Sequence, residues 1–149
     1  GPTGVEVYWK RPEGSGATCG GGWVRTGDIG RIDDEGFLFI MDRAKDMVIR
    51  GGENIYCVEV EAALYEHPAV MDAAIVARPH HSLGEEPAAV VTLKPGATAD
   101  AEELRAFVAA RLAAFKVPVE VRFWDGPLPR NANGKILKTE LKALFAPAA

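Results

Sequence analysis

Three short stretches of the chain hold residues whose types and spacing could do chemistry. Arg25-Thr26-Gly27-Asp28 ends a glycine turn on a carboxylate. A fixed carboxylate has enough lone pairs to accept from two vicinal hydroxyls of a ribose, and it can equally satisfy the amides of its own turn. Residues 42–55, DRAKDMVIRGGENI, set five residues with four charges ahead of the pair Gly51-Gly52. Paired glycines let backbone approach a ligand closely, and they also make a plain turn. Residues 129–138, PRNANGKILK, place Lys135 directly after Asn133-Gly134. A lysine on such a loop, expected to be mobile, supplies one compact positive charge. That charge suits the neutralisation of a developing phosphate or carboxylate, the plain alternative being a solvated surface lysine. The stretch is not a P-loop, which needs G-x-x-x-x-G-K followed by Ser or Thr. Here the upstream glycine is Gly126, and Ile136 follows Lys135 with no hydroxyl to offer magnesium.

Bulk properties narrow the field. At 149 residues with a net charge of −4, the chain has no global field that favours nucleic acid or an anionic membrane. A hydrophobic fraction of 48% with 26% charged residues suits a globular core that needs no disulfide. Cys19 and Cys57 form no C-x-x-C pair and no signal peptide leads the chain, so free thiols in a reducing cytoplasm are expected. His80 and His81 are adjacent and do not converge on one metal, so no metal site is expected. No apolar run reaches the ~18 residues a membrane span requires. Nothing in these patterns sets an oligomeric state.

The elements that must position the three stretches divide near residue 42. Residues 1–41 hold much of the glycine, with strand-like pieces VEVYW, GWVRT, GRID and FLFIM, and IDDEGFLFI reads as a hairpin. This part is expected to be β-structure without helices, too small to close a core. DRAKD, residues 42–46, is an exposed connector. Beyond it, MVIRGGENI predicts a hairpin with a glycine turn, and CVEVEAALYEH a helix with Val58, Ala62, Leu64 and Tyr65 on one face, ended by Pro68. VMDAAIVARP and EEPAAVVTLKPG predict strands closed by Pro79 and by Pro95-Gly96. DAEELRAFVAARLAAF predicts a helix capped by Asp100, with Leu104, Phe107, Val108, Leu112 and Phe115 inward. VEVRFW predicts a further strand, and ILKTELKALF a last helix with Ile136, Leu137, Leu141, Leu144 and Phe145 inward. The predicted class is α+β: a mostly antiparallel central sheet of about three strands flanked by helices, plus a small hairpin.

The three polar clusters come in a recognisable order. From VYWKRPE and GWVRTGDIGRIDDEGFLFIMDRAKDMVIRGGENI, through VEVEAALYEHPAV, LGEEPAAVV and FKVP, to LPRNANGKILKTELK, nearly the whole chain resembles the C-terminal part of the adenylate-forming acyl-CoA synthetases, or fatty-acid–CoA ligases. The resemblance implies a first segment, 1–41, that is the last β-subdomain of an N-terminal adenylating domain, a hinge over 42–46, and a mobile C-terminal domain over 47–149. It implies that Asp28 holds the ribose hydroxyls of ATP and the acyl-adenylate, and that Arg43 reaches the nucleotide's ribose-phosphate region. Lys45 falls at the hinge position, Gly51 and Gly52 at the turn that borders the CoA pantetheine arm, and Lys135 at the catalytic lysine of adenylate formation. ATP with Mg2+, CoA and a carboxylic acid are implied as substrates, with no cofactor tightly held. The family's phosphate loop, acyl pocket and adenine site have no counterpart here, so this chain alone is expected to be inactive. Cys57 stands where proline is common, and PHHSLGEE replaces a more acidic turn. A non-catalytic binding module, a peptide-synthetase adenylation unit and an aryl-CoA ligase are the alternatives.

Overall fold

A computed structural model describes residues 9–10, 12–20 and 23–146. Residues 5–8 of the expected VEVYW strand lie outside that range. The chain divides into two compact units, residues 1–45 and 46–149.

The first unit is not free of helix. Helix α1 spans Pro12–Thr18. Proline at the first helical position has its φ preset and gives up no helical hydrogen bond, and Glu13 complements the N-terminal dipole. Two glycines in the segment hid that signal. Strands β1 (Cys19–Gly20) and β2 (Trp23–Val24) pair antiparallel, as do β3 (Asp28–Ile32) and β4 (Leu38–Arg43). The expected Asp-Asp-Glu-Gly turn joins the second pair: the Glu35 and Phe37 amides donate to Asp33 Oδ1. Among the described residues of this unit no hydrophobic side chain is buried.

The second unit is built on a five-stranded sheet. Strands β5 (Val48–Arg50), β6 (Glu53–Ile55), β7 (Val70–His80) and β8 (Gly84–Leu93) run in the order β6-β5-β8-β7, and β9 (Glu120–Phe123) pairs with β8. Only the β8–β9 pairing is parallel. The expected small hairpin, β5–β6, joins the sheet where Arg50 pairs with Gly84. Helices cover both faces. Cys57, Val60, Ala63 and Leu64 of α2 (Cys57–Tyr65) and Leu104 and Val108 of α3 (Ala101–Ala109) pack on Ala73, Ile75, Ala77, Ala89 and Val91. Leu128, Leu141 of α4 (Lys138–Lys142) and Phe145 pack on Ala74, Val76, Ala88 and Val90. A strand covered on both faces reads as a continuous apolar run, which is how β7 and β8 read.

Details depart from expectation for physical reasons. In α2 only Leu64 of the expected face points inward, while Val58 and Tyr65 are about half exposed. Positions 57, 60 and 64, spaced i, i+3 and i+7, face the sheet instead, and the Cys57 thiol donates to the Asp46 carbonyl. Asp100 caps α3 as expected, accepting the Glu103 amide at 2.8 Å. Strand β7 runs one residue past the expected stop at Pro79, which an edge strand tolerates. Its register with β8 slips at Met71: Val70 faces Leu93 and Asp72 faces Thr92. The last helix starts at Lys138, not at Ile136, which is instead bridged to Arg130.

Candidate functional site

In the first unit the hairpin brings two expected site residues together. Asp28 and Arg43 are cross-strand partners, and Arg43 Nε lies 3.1 Å from Asp28 Oδ1. The Ala44 amide donates to the Gly27 carbonyl at 2.8 Å, closing the open end of the hairpin behind them. Lys45 is exposed and is the last residue of this unit.

In the second unit Gly51 and Gly52 form the two-residue turn between β5 and β6, with φ of 56° and 90°. Both values lie in the left-handed region, as a type I′ turn demands. The turn is tied to the β7–β8 connection: the Gly51 amide donates to the Leu83 carbonyl at 2.8 Å. A Cβ at Gly51 would stand 3.1 Å from Leu83 Cδ2, whereas one at Gly52 would meet nothing within 4 Å. Leu83 is in turn held by His80, whose Nδ1 accepts the Ser82 and Leu83 amides.

Lys135 sits on a loop closed by its own hydrogen bonds. Asn131 Oδ1 accepts the amides of Asn133 and Lys135, both at 3.0 Å, and the Asn131 amide donates to the Lys135 carbonyl at 2.8 Å. Asparagine makes such side-chain turns readily. Arg130 Nη1 donates to the Gly134 carbonyl at 2.8 Å, and the Leu137 amide to Pro129 at 2.7 Å. Lys135 itself is exposed, and its ammonium makes no ion pair among the described residues. The charge is therefore carried on a hydrogen-bonded turn by a side chain without an ion-pair partner among the described residues.

Behind this loop lies a polar group the sequence did not reveal. Asp72, buried on β7, accepts from the Tyr65 hydroxyl, the Ala73 amide and Arg130 Nη2. Its hydrogen bond outweighs burial and raises the Arg130 pKa above the ordinary value, while burial first and then the bond to Asp72 raise that of Tyr65. On the other side of the loop, Lys138 Nζ is 2.8 Å from Glu61 Oε1, the same oxygen that accepts the Ile75 amide on the free edge of β7. A carboxylate inside the apolar run VMDAAIVA could have flagged Asp72. Nothing local links it to Arg130, 58 positions away.

The structure thus joins Asp28 with Arg43 and keeps the glycine turn apart from Lys135. The first is tied near His80 and the second to Asp72, at the two ends of β7, about 26 Å apart at ~3.3 Å per residue. Among the described residues no group of three or more His, Cys, Asp or Glu could hold a metal ion, and no helix is long and apolar enough to cross a membrane.

The chain belongs to the AMP-binding enzyme C-terminal domain family, whose model matches residues 59–135. It is 48% identical over 145 residues to the 2-succinylbenzoate–CoA ligase of Geobacillus kaustophilus, a match covering 97% of this chain and 29% of the relative. It is also 48% identical over 141 residues to a long-chain-fatty-acid–CoA ligase of Bacillus subtilis, covering 95% of this chain and 25% of the relative. Among solved structures, it superposes with a TM-score of 0.87 and 40% identity on the o-succinylbenzoate CoA synthetase of Bacillus subtilis in complex with its acyl-adenylate intermediate, covering 95% of this chain and 29% of that one. The chain therefore spans under a third of the length of the relatives it matches.

Proposed function

We propose that the chain is the C-terminal part of an ATP-dependent acid–CoA ligase. In the first half-reaction a carboxylate oxygen attacks the α-phosphorus of ATP, brought in with Mg2+, and pyrophosphate leaves with the electron pair of the broken P–O bond. In the second, the CoA thiol, having given up its proton, attacks the carbonyl carbon of the acyl-adenylate, and AMP leaves.

The observation that carries this reading is the Lys135 loop. It presents one unpaired ammonium on backbone held by its own hydrogen bonds, in a chain that superposes on an acyl-adenylate-bound synthetase. The first step joins two anions, so a cation touching both carboxylate and phosphate lowers the electrostatic barrier and fixes their approach. Asp28 accepts the ribose hydroxyls, and Arg43, already beside it, faces the ribose-phosphate region. In the second step a lysine at the carboxylate would obstruct the thiol. Rotation about Lys45 withdraws Lys135 and brings the side-chain-free Gly51-Gly52 turn to border the pantetheine arm. Residues 1–41 then close the adenylating domain, 42–46 bend, and 47–149 swing.

Pyrophosphate release tests the reading. This chain alone is expected to give no turnover, because it spans under a third of the ligases it matches, and robust release from it would overturn the assignment. In the full-length enzyme, Lys135→Ala suppresses pyrophosphate release while sparing acyl transfer from a supplied acyl-adenylate. Equal loss in both steps would remove Lys135 from the role.

A further inference from the structure

We propose that Asp72 and Arg130 are positioning residues for Lys135, a clasp that sets where its ammonium is presented during adenylate formation and takes no part in acyl transfer. The inference rests on the adenylation role proposed above for Lys135.

Arg130 bridges two parts of the unit with one rigid group. Its Nη1 donates to the Gly134 carbonyl, immediately before Lys135, and its Nη2 to Asp72 Oδ2 on the sheet. A planar guanidinium fixes the angle between two such acceptors, which an ammonium cannot do. Asp72 is a firm anchor because it is 8% exposed and its carboxylate is also held by Tyr65 and by the Ala73 amide. The far side of the loop is held as well, by Lys138 on Glu61. Of the three cations at 130, 135 and 138, two are paired to carboxylates, and only Lys135 is left for a substrate. With the loop fastened on both sides, the reach of Lys135 is set by its own side chain.

Selectivity follows from placement. Asp72 lies at the start of β7, while the glycine turn is tied to its far end through Leu83 and His80. Loosening the clasp moves the lysine and leaves the turn where it is. A structural role alone would not divide the two half-reactions in this way.

The test uses the full-length enzyme with Asp72→Asn, Arg130→Gln and Arg130→Lys, and Lys135→Ala as reference. Asp72→Asn and Arg130→Gln are expected to lower kcat for pyrophosphate release roughly tenfold, with KM for ATP within about twofold. Transfer from a supplied acyl-adenylate to CoA stays unchanged. Arg130→Lys recovers part of the loss, since an ammonium reaches Asp72 but does not hold Gly134 at the same angle. Equal losses in both half-reactions, or an unchanged adenylation rate, would overturn the proposal. Should Asp72→Asn fail to fold, the Arg130 variants decide, because that side chain is 41% exposed and fills no core. Amide hydrogen exchange on this chain gives a reading that does not depend on the role of Lys135. Arg130→Gln is expected to speed exchange at Gly134 and Lys135 roughly tenfold relative to Ala88–Val91, and no change there sinks the clasp. An intact adenylation rate in Lys135→Ala, with the exchange effect present, sinks only the role of Lys135.

Discussion

Strand β4 and strand β7 each hold an apolar run, yet Ile40 on the first is 62% exposed and Ile75 on the second is fully buried. Each hairpin of the first unit has two strands and no layer laid against it within that unit's buried residues, whereas β7 and β8 have helices on both faces. Two strands alone are marginal in water; a third strand or a packed helix makes the difference. The first unit holds its form through turn hydrogen bonds and the Asp28–Arg43 pair, and the second through its core. Asp28 and Arg43 thus sit on the part with the weaker internal support, and Lys135 on the stronger.

The largest test of this contrast is Ile75→Ala against Ile40→Ala in this chain. The first is expected to cost about 2–5 kcal/mol and the second no more than ~0.5 kcal/mol, by urea unfolding. Similar losses would erase the distinction. Next, Gly51→Ala is expected to cost about 1–2 kcal/mol, because φ of 56° strains an L-residue and Leu83 stands against the new Cβ. Gly52→Ala meets no neighbour, but its φ of 90° lies farther outside the left-handed well and should cost at least as much; a thermal melt in which Gly51→Ala is clearly the worse would show that the Leu83 contact decides. Removing residues 1–45 is expected to change the unfolding free energy of 46–149 by less than ~1 kcal/mol, since among the described residues every buried hydrophobic one lies in the second unit. Loss of the cooperative transition would show that the first unit supports the second. The smallest effect is a titration. Tyr65 should ionise above its ordinary 10.0, and in Asp72→Ala it should fall part of the way back, since burial is the larger cause and remains. The raised pKa contributes stability below pH 10 that fades as pH rises through it. Tyrosine ring carbon shifts against pH read it directly.

Much of the second unit was legible because its signals are local. Asp100 followed by acids and a 3.6-residue apolar period announces α3, and Gly51-Gly52 between short apolar runs announces a hairpin. Where signals conflicted, the sequence misled: glycines obscured α1, and α2 offers two apolar faces, of which the one through Cys57, Val60 and Leu64 is buried while Val58 and Tyr65 are left exposed. The stretch around Lys135 looked loose by composition, yet Asn131 folds it on itself. Its fastening to Asp72 and Glu61 joins residues far apart in the chain, and such pairings exist only once the sheet has formed. The parallel pairing of β9 with β8 is of the same kind.

Strand β7 has one residue more than its pairing with β8 needs. Val70 faces the α2–α3 layer and Asp72 the opposite one, although in an unbroken strand two residues apart would share a side. Met71, half exposed, absorbs the mismatch. In genetic terms, an in-frame deletion of that codon leaves every other side chain of the strand facing as before. Loss of any codon from Ala73 to Ala77 is expected to turn Asp72 over and part it from Arg130, a partner more than fifty codons downstream.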